Sequence, residues 1–193
     1  ATKTFVTSIV AGLALLARWS DNAELSRAVA SLPETLAQAV RCDWSEMIPA
    51  LDGHSALYVL GRGPGAAIAN EAALKFKETC GIQGESYSAA EVMHGPVSIV
   101  TPGYPVLGLA ARDMAEASVA DMAHRLAGQG ALAFLTSDRA GGARKLPFAA
   151  TGHAITDPLA LIVSFYGFVE QLARHRGLNP DAPPMLRKVT ETV

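Results

Sequence analysis

Three groups of residues in this 193-residue chain have the types and spacing that chemistry needs. The first is Glu71, Lys75 and Glu78, in a segment that reads as helix from about Pro64 to Cys80. At 100° per residue these three share one stripe, opposite a core stripe of Ala69, Ala73, Phe76 and Cys80. A solvated ladder of ion pairs at i,i+4 and i,i+3 is the plain reading. Ala67, Ile68, Leu74 and Ile82 fall on the same stripe, however, and charges mixed with aliphatics suit a cleft or subunit interface. A carboxylate there can serve as acid or base. Glu71 and Glu78 are seven residues apart, about 10 Å along a helix. They cannot share a proton as a close dyad does, so they act on different atoms or through Lys75.

The second group is Glu85-Ser86-Tyr87-Ser88-Ala89-Ala90-Glu91-Val92-Met93-His94-Gly95-Pro96. An isolated histidine is more often structural or merely exposed. His94, placed before a Gly-Pro break and after an acid-rich stretch, is a candidate proton shuttle near neutral pH. The third is the C-terminal stretch from Asp181 to Val193, which carries Lys188. A frayed terminus is the ordinary outcome. Here two prolines lower the cost of ordering, Leu186 and Val189 offer anchors, and a lysine on such a tail can close over a site.

The elements that must position these groups follow from pattern. Thr2–Ser20 reads as a helix with little polar face. Asp21 is expected to cap a second helix running to about Cys42, with a fresh turn opening at Pro33 after Ser31. Trp44–Leu51 reads as a short helix. Ser55–Leu60 is an apolar run typical of a strand buried on both faces, and Gly61-Arg62-Gly63-Pro64-Gly65 leads from it into the charged helix. Pro105–Ala110 and Ala131–Thr136 are further strands around a helix over Ala115–Ala127. An edge strand is expected within Phe148–Ile155. Pro158–Arg176 is a long apolar helix ended by Gly177. Alternation of this kind predicts an α/β fold: a three-layer αβα sandwich with a central parallel sheet.

Composition bounds the partners. Half the residues are hydrophobic, 18% are charged and the formal net charge is −2. Disorder is excluded, and neither a basic stripe for nucleic acid nor a polybasic run for a membrane surface is present. The apolar excess predicts surface covered by a second domain or subunit. Cys42 and Cys80 are the two cysteines, too few for a disulfide framework, so a reducing compartment, the cytoplasm, is expected. The apolar stretches Phe5–Trp19 and Ile155–Val169 fall short of the roughly 20 residues a spanning helix needs. The chain starts at Ala1 and its first segment lacks the order of a signal peptide, so an upstream part is expected.

Taken together, LGRGPGAAIANEAALKFKE, ESYSAAEVMHGP and DAPPMLRKVTETV resemble the sugar isomerase (SIS) domain. The resemblance is closer to the second of two SIS domains in the aminosugar-phosphate isomerase group. That group includes the isomerase part of glutamine–fructose-6-phosphate transaminase and the SIS-type glucosamine-6-phosphate deaminases. ATKTF resembles the segment entering the second copy. The resemblance implies an isomerase or deaminase of an aminosugar 6-phosphate, with residues 1–50 as a helical lead-in from an upstream SIS domain, 51–177 as the SIS domain and 178–193 as a closing tail. It further implies that Glu78 moves a proton between C1 and C2 of the opened sugar, that Glu71 and Lys75 support it, that His94 opens the ring from across a homodimer interface, and that Lys188 meets the carbonyl or its imine. It implies no metal or organic cofactor.

Departures from the family pattern matter equally. The phosphate-holding loop S-x-S-G-x-T is absent: Thr136-Ser137-Asp138 lacks the pattern, and Gly61–Gly65 has no Ser or Thr. The phosphate subsite is therefore expected upstream, and these 193 residues are not expected to supply ammonia from glutamine. Two other readings compete. Gly61-x-Gly63-x-x-Ala66 fits a relaxed dinucleotide fingerprint with Glu85 about 20 residues on, against which Gly81-Ile82-Gln83-Gly84 makes a poor second strand. A non-catalytic sugar-phosphate sensor is the other, disfavoured because Glu78, His94 and Lys188 are all present.

Overall fold

The computed structural model describes residues 2–139 and 141–182. Its elements run α1 (Thr2–Trp19), α2 (Ala23–Ala39), α3 (Met47–Ala50), β1 (Ala56–Gly61), α4 (Gly65–Cys80), β2 (Gln83–Ser88), β3 (Pro105–Gly108), α5 (Glu116–Gly128), β4 (Leu132–Leu135), β5 (Arg144–Lys145) and α6 (Asp157–His175). The five strands form one sheet in the order β2-β1-β3-β4-β5, and every pairing is parallel. The chain leaves β1 through α4 to one side and β3 through α5 to the other.

Side-chain alternation along the strands divides the core into two layers. Leu57, Val59, Leu107, Leu109 and Phe134 face α4 and α6, where Phe76, Phe165 and Phe168 fill the space. Tyr58, Leu60, Val106, Ala133 and Leu135 face α5, against Val119, Ala120, Ala123 and Leu126. Strands buried on both faces read as continuous apolar runs, as β1 does. Helices α1 and α2 form a hairpin docked on the start of α6 through Leu13, Leu32 and Leu159.

Four local expectations are corrected. The cap of α2 is Asn22, not Asp21: its extended backbone lets its side chain accept from the Leu25 N–H at 2.9 Å, while Asp21 turns the chain at φ 48°. Helix α2 also continues through Pro33. The missing N–H costs a bond, but buried Leu25, Ala28, Leu32 and Ala39 hold the helix against its neighbours. The expected edge strand in Phe148–Ile155 is absent. That stretch bonds locally instead, the Thr156 hydroxyl to Thr151 Oγ1 at 2.8 Å and the Thr151 hydroxyl to the His153 carbonyl at 3.1 Å, and the edge is β5.

The fourth correction concerns Gly81–Gly84. Gly81 does end α4, in the left-handed region, but Gln83 and Gly84 begin β2, paired with Ala56 and Leu57. Gly84 is glycine because a Cβ there would lie 2.7 Å from the Ala73 carbonyl oxygen. The missing side chain lets α4 sit close on the sheet. Gly84→Ala should therefore cost about 1–3 kcal/mol as overpacking. A denaturation midpoint equal to wild type would show that α4 can move away freely.

Candidate active site

Helix α4 presents its core face as the periodicity requires: Ala69, Ala73, Phe76 and Cys80 are buried. Ile68 and Ile82, the latter just past the Gly81 cap, join them in the core rather than the charged stripe. What remains of the stripe is Glu71, Leu74, Lys75 and Glu78, which line an open groove between α4 and the first turns of α1, opposite Thr4, Phe5, Ser8 and Ile9.

The charged trio is connected. Lys75 Nζ lies 3.5 Å from Glu71 Oε1 and donates to Glu78 Oε2. The side chains of Lys75, Glu71 and Glu78 are 6%, 10% and 29% exposed. This is no solvated ladder: the cation is enclosed, and exposure rises toward Glu78, the end that opens on the groove. Lys75 is thus the link between the two carboxylates.

Sequence reasoning missed a fourth member. Tyr166, on α6, donates its hydroxyl to Glu71 Oε1 at 2.8 Å. Burial, then the hydrogen bond to Glu71, push its phenol well above the ordinary tyrosine range. The signal in the sequence was a lone phenol within an apolar helix, which must find a partner when buried. Which partner, 95 residues away, was not legible.

Lys75 also borders a second hollow, between α4 and α6, with Thr79, Tyr166 and Glu170 in its walls and Thr2 of α1 at its edge. Pro180 and Asp181 also line it, so the chain arrives beside Lys75 just before its last residues. Lys188 lies outside the described residues. It is seven residues beyond Asp181, which at full extension is about 25 Å of reach.

His94 is not brought to the trio. It is exposed and shares neither a hydrogen bond nor a groove with Glu71, Lys75 or Glu78. Helix α4 runs back from the C-terminal end of β1 to the start of β2, so Glu78 and His94 lie toward opposite ends of the β1–α4–β2 unit. The turn that carries His94 is nevertheless built firmly. Its N–H bonds the Glu91 carbonyl at 2.9 Å, Gly95 takes φ 138°, and buried Tyr58 donates to the Pro96 carbonyl at 2.9 Å.

At the C-terminal ends of β1 and β3, where α/β sheets usually bind ligands, several polar groups bond within the chain, while Arg112 Nε and Nη1 and Asp113 Oδ2 are buried with no hydrogen-bond partner among the described residues. Arg62 donates to the Ser118 hydroxyl at 2.7 Å. Thr136 Oγ1 accepts from the Ala110 N–H at 3.0 Å, and Ser137 donates to Glu116 at 2.6 Å. The dinucleotide reading loses its original objection, since β2 exists. It meets another: Glu85 pairs with Tyr58 in mid-strand rather than standing at the strand's C-terminal edge, where a ribose would lie.

Among the described residues no helix is long and apolar enough to cross a membrane.

Comparison with known proteins agrees with this architecture. Residues 51–173 match the family model described as SIS domain. Glutamine–fructose-6-phosphate aminotransferase (isomerizing) of Aeropyrum pernix is 32% identical over 207 residues, taking in 97% of this chain and 33% of the relative. The Caulobacter vibrioides protein of the same name is 33% identical over 207 residues, covering 97% of this chain and 34% of its own length. The chain thus spans about a third of the curated relatives it matches. A crystal structure from Silicibacter pomeroyi DSS-3, assigned as a phosphosugar isomerase, superposes with TM-score 0.89 at 57% identity over 93% of this chain and 55% of that one. The glucosamine-6-phosphate deaminase of Thermotoga maritima shares the fold, with TM-score 0.68 at 24% identity over 96% of this chain and 56% of that one. The chain, an α/β unit with a central parallel sheet, belongs to the SIS domain family.

Proposed function

We propose that the protein carrying this chain interconverts aldose and ketose forms of an aminosugar 6-phosphate, with loss or gain of ammonia. The observation that carries the reading is the enclosed Glu71–Lys75–Glu78 relay, whose more accessible carboxylate faces a groove. The relatives named for phosphosugar isomerisation and aminosugar chemistry support the substrate class.

The chemistry needs an open-chain sugar with an aldehyde at C1 and an amine at C2. Glu78 takes the proton from C2, the electron pair moves into the C1–C2 bond, and the C1 oxygen is protonated. Glu78 returns the proton to C1, leaving an imine at C2, which water hydrolyses to ketose phosphate and ammonia. A base on one face of the intermediate and a cation near it supply what the transfer requires. Lys75 keeps Glu78 oriented through both proton movements, and Glu71 supports Lys75.

Three further roles complete the reading. His94, exposed on its braced turn, reaches the sugar of a neighbouring protomer in a homodimer and opens its ring. Lys188, on a tail of residues 178–193 that departs from beside Lys75, closes over the sugar and meets its carbonyl or imine. Residues 1–50 lead in from another SIS unit of the same protein, which holds the phosphate through its Ser/Thr loop. The setting is the cytoplasm.

The direct test is ammonia release by the intact protein from a panel of aminosugar 6-phosphates, glucosamine and galactosamine 6-phosphate first. At least one should be turned over; none turned over overturns the reading. Lys188→Ala should then lower kcat by about a hundredfold, the order expected when a positioned catalytic group is removed. Unchanged kinetics would remove the tail lysine from the mechanism.

A further inference from the structure

The α4 trio has two carboxylates and one ammonium, and the ammonium stands unequally between them. Lys75 Nζ stands 3.5 Å from Glu71 and closer to Glu78. What keeps Glu71 from drawing it away is visible on α6. Tyr166, flanked by buried Phe165 and Val169, donates its hydroxyl to Glu71 Oε1 at 2.8 Å. This is the same oxygen that Lys75 approaches. A charged acceptor with a good neutral donor competes less for a shared cation.

We propose that Tyr166 is a positioning residue for the proton transfer: by occupying Glu71 Oε1, its hydroxyl leaves Lys75 directed at Glu78. The inference rests on the reading of Glu78 as the proton carrier. Tyr166 itself touches neither substrate nor reacting atom; it acts through Glu71 and Lys75. The place of the phenol fits this role. It also walls the hollow between α4 and α6 that Lys75 shares, and it does not line the α1–α4 groove. Its neighbour Phe165 packs in the core, its ring centroid 6.2 Å from that of Tyr166.

A merely structural tyrosine predicts something different. Its loss would lower stability and leave the rate per folded molecule alone. Tyr166→Phe keeps the ring and removes only the oxygen, which makes the two roles separable. In the intact protein, assayed on whichever aminosugar 6-phosphate the wild type turns over fastest, Tyr166→Phe should lower kcat about ten- to a hundredfold, the loss expected for one hydrogen bond to a charged group. KM should stay near wild type, because no substrate contact is removed. Glu71→Gln supplies the second arm, and the double variant the third. If Tyr166 acts through Glu71, the double variant should be scarcely slower than the worse single variant.

Glu78→Gln is run alongside to separate the two claims. Wild-type turnover by Glu78→Gln overturns the reading of the relay and this inference with it. An inactive Glu78→Gln together with wild-type kcat in Tyr166→Phe overturns the inference alone. So does a double variant whose loss is the product of the two single losses, since the phenol would then act independently of Glu71.

Discussion

Glu78→Gln is expected to lose at least a hundredfold in kcat, and as much as about ten-thousandfold, while binding of the sugar phosphate stays close to wild type. The size is that of a positioned general acid–base group removed from a proton transfer. Gln is nearly isosteric with Glu and its carbonyl oxygen still accepts from Lys75, so the groove keeps its shape. The Lys75 ammonium keeps a charged partner as well, Glu71 at 3.5 Å, so the fold has no new unpaired charge to carry. Loss of rate with retained binding is the signature of an interaction made in the transition state. The measurement is steady-state turnover beside calorimetric titration with substrate. Retained turnover would show that the proton moves by another route.

Lys75→Met should have the largest effect on stability, about 3–5 kcal/mol at neutral pH, together with loss of turnover. The lysine side chain is 6% exposed and sits between two carboxylates. Removing the cation leaves those carboxylates partly buried with no counter-charge, and breaking a buried pair from one side costs more than the pair contributes. Urea midpoints of variant and wild type at pH 7 measure it. A deficit below about 1 kcal/mol, the worth of an exposed pair, would mean that Lys75 compensates no buried charge.

The elements differ in how far their residues announced them. The two faces of α4 are a matter of 3.6-residue periodicity, and Ala69, Ala73, Phe76 and Cys80 are buried as that period requires. Apolar runs marked β1, β3 and β4 because strands in a two-sided parallel sheet have no polar face to break the run. β2 escaped for the opposite reason. As an edge strand it alternates, its burial running from exposed Gln83 to buried Gly84 and exposed Glu85, and its glycine answers to the Ala73 backbone of another element. Phe148–Ile155 misled because its composition suits a strand, while its hydroxyls found bonds within the turn and Thr151 gives its N–H to Asp157 at 3.0 Å.

The same division holds in the site. Spacing along one helix was enough to align Glu71, Lys75 and Glu78, since residues three and four apart on a helix are neighbours whatever the rest of the chain does. His94 and its Gly-Pro bend were equally local. Whether the aligned charges stand in water or in a cleft was a tertiary matter, decided by the packing of α6 against α4 and by the nearness of the first turns of α1. Only that packing encloses the ammonium, brings the Tyr166 hydroxyl to Glu71 and delivers Asp181 to the same hollow. Each of these depends on contacts between residues far apart in the chain, and no periodicity within a single segment carries that information.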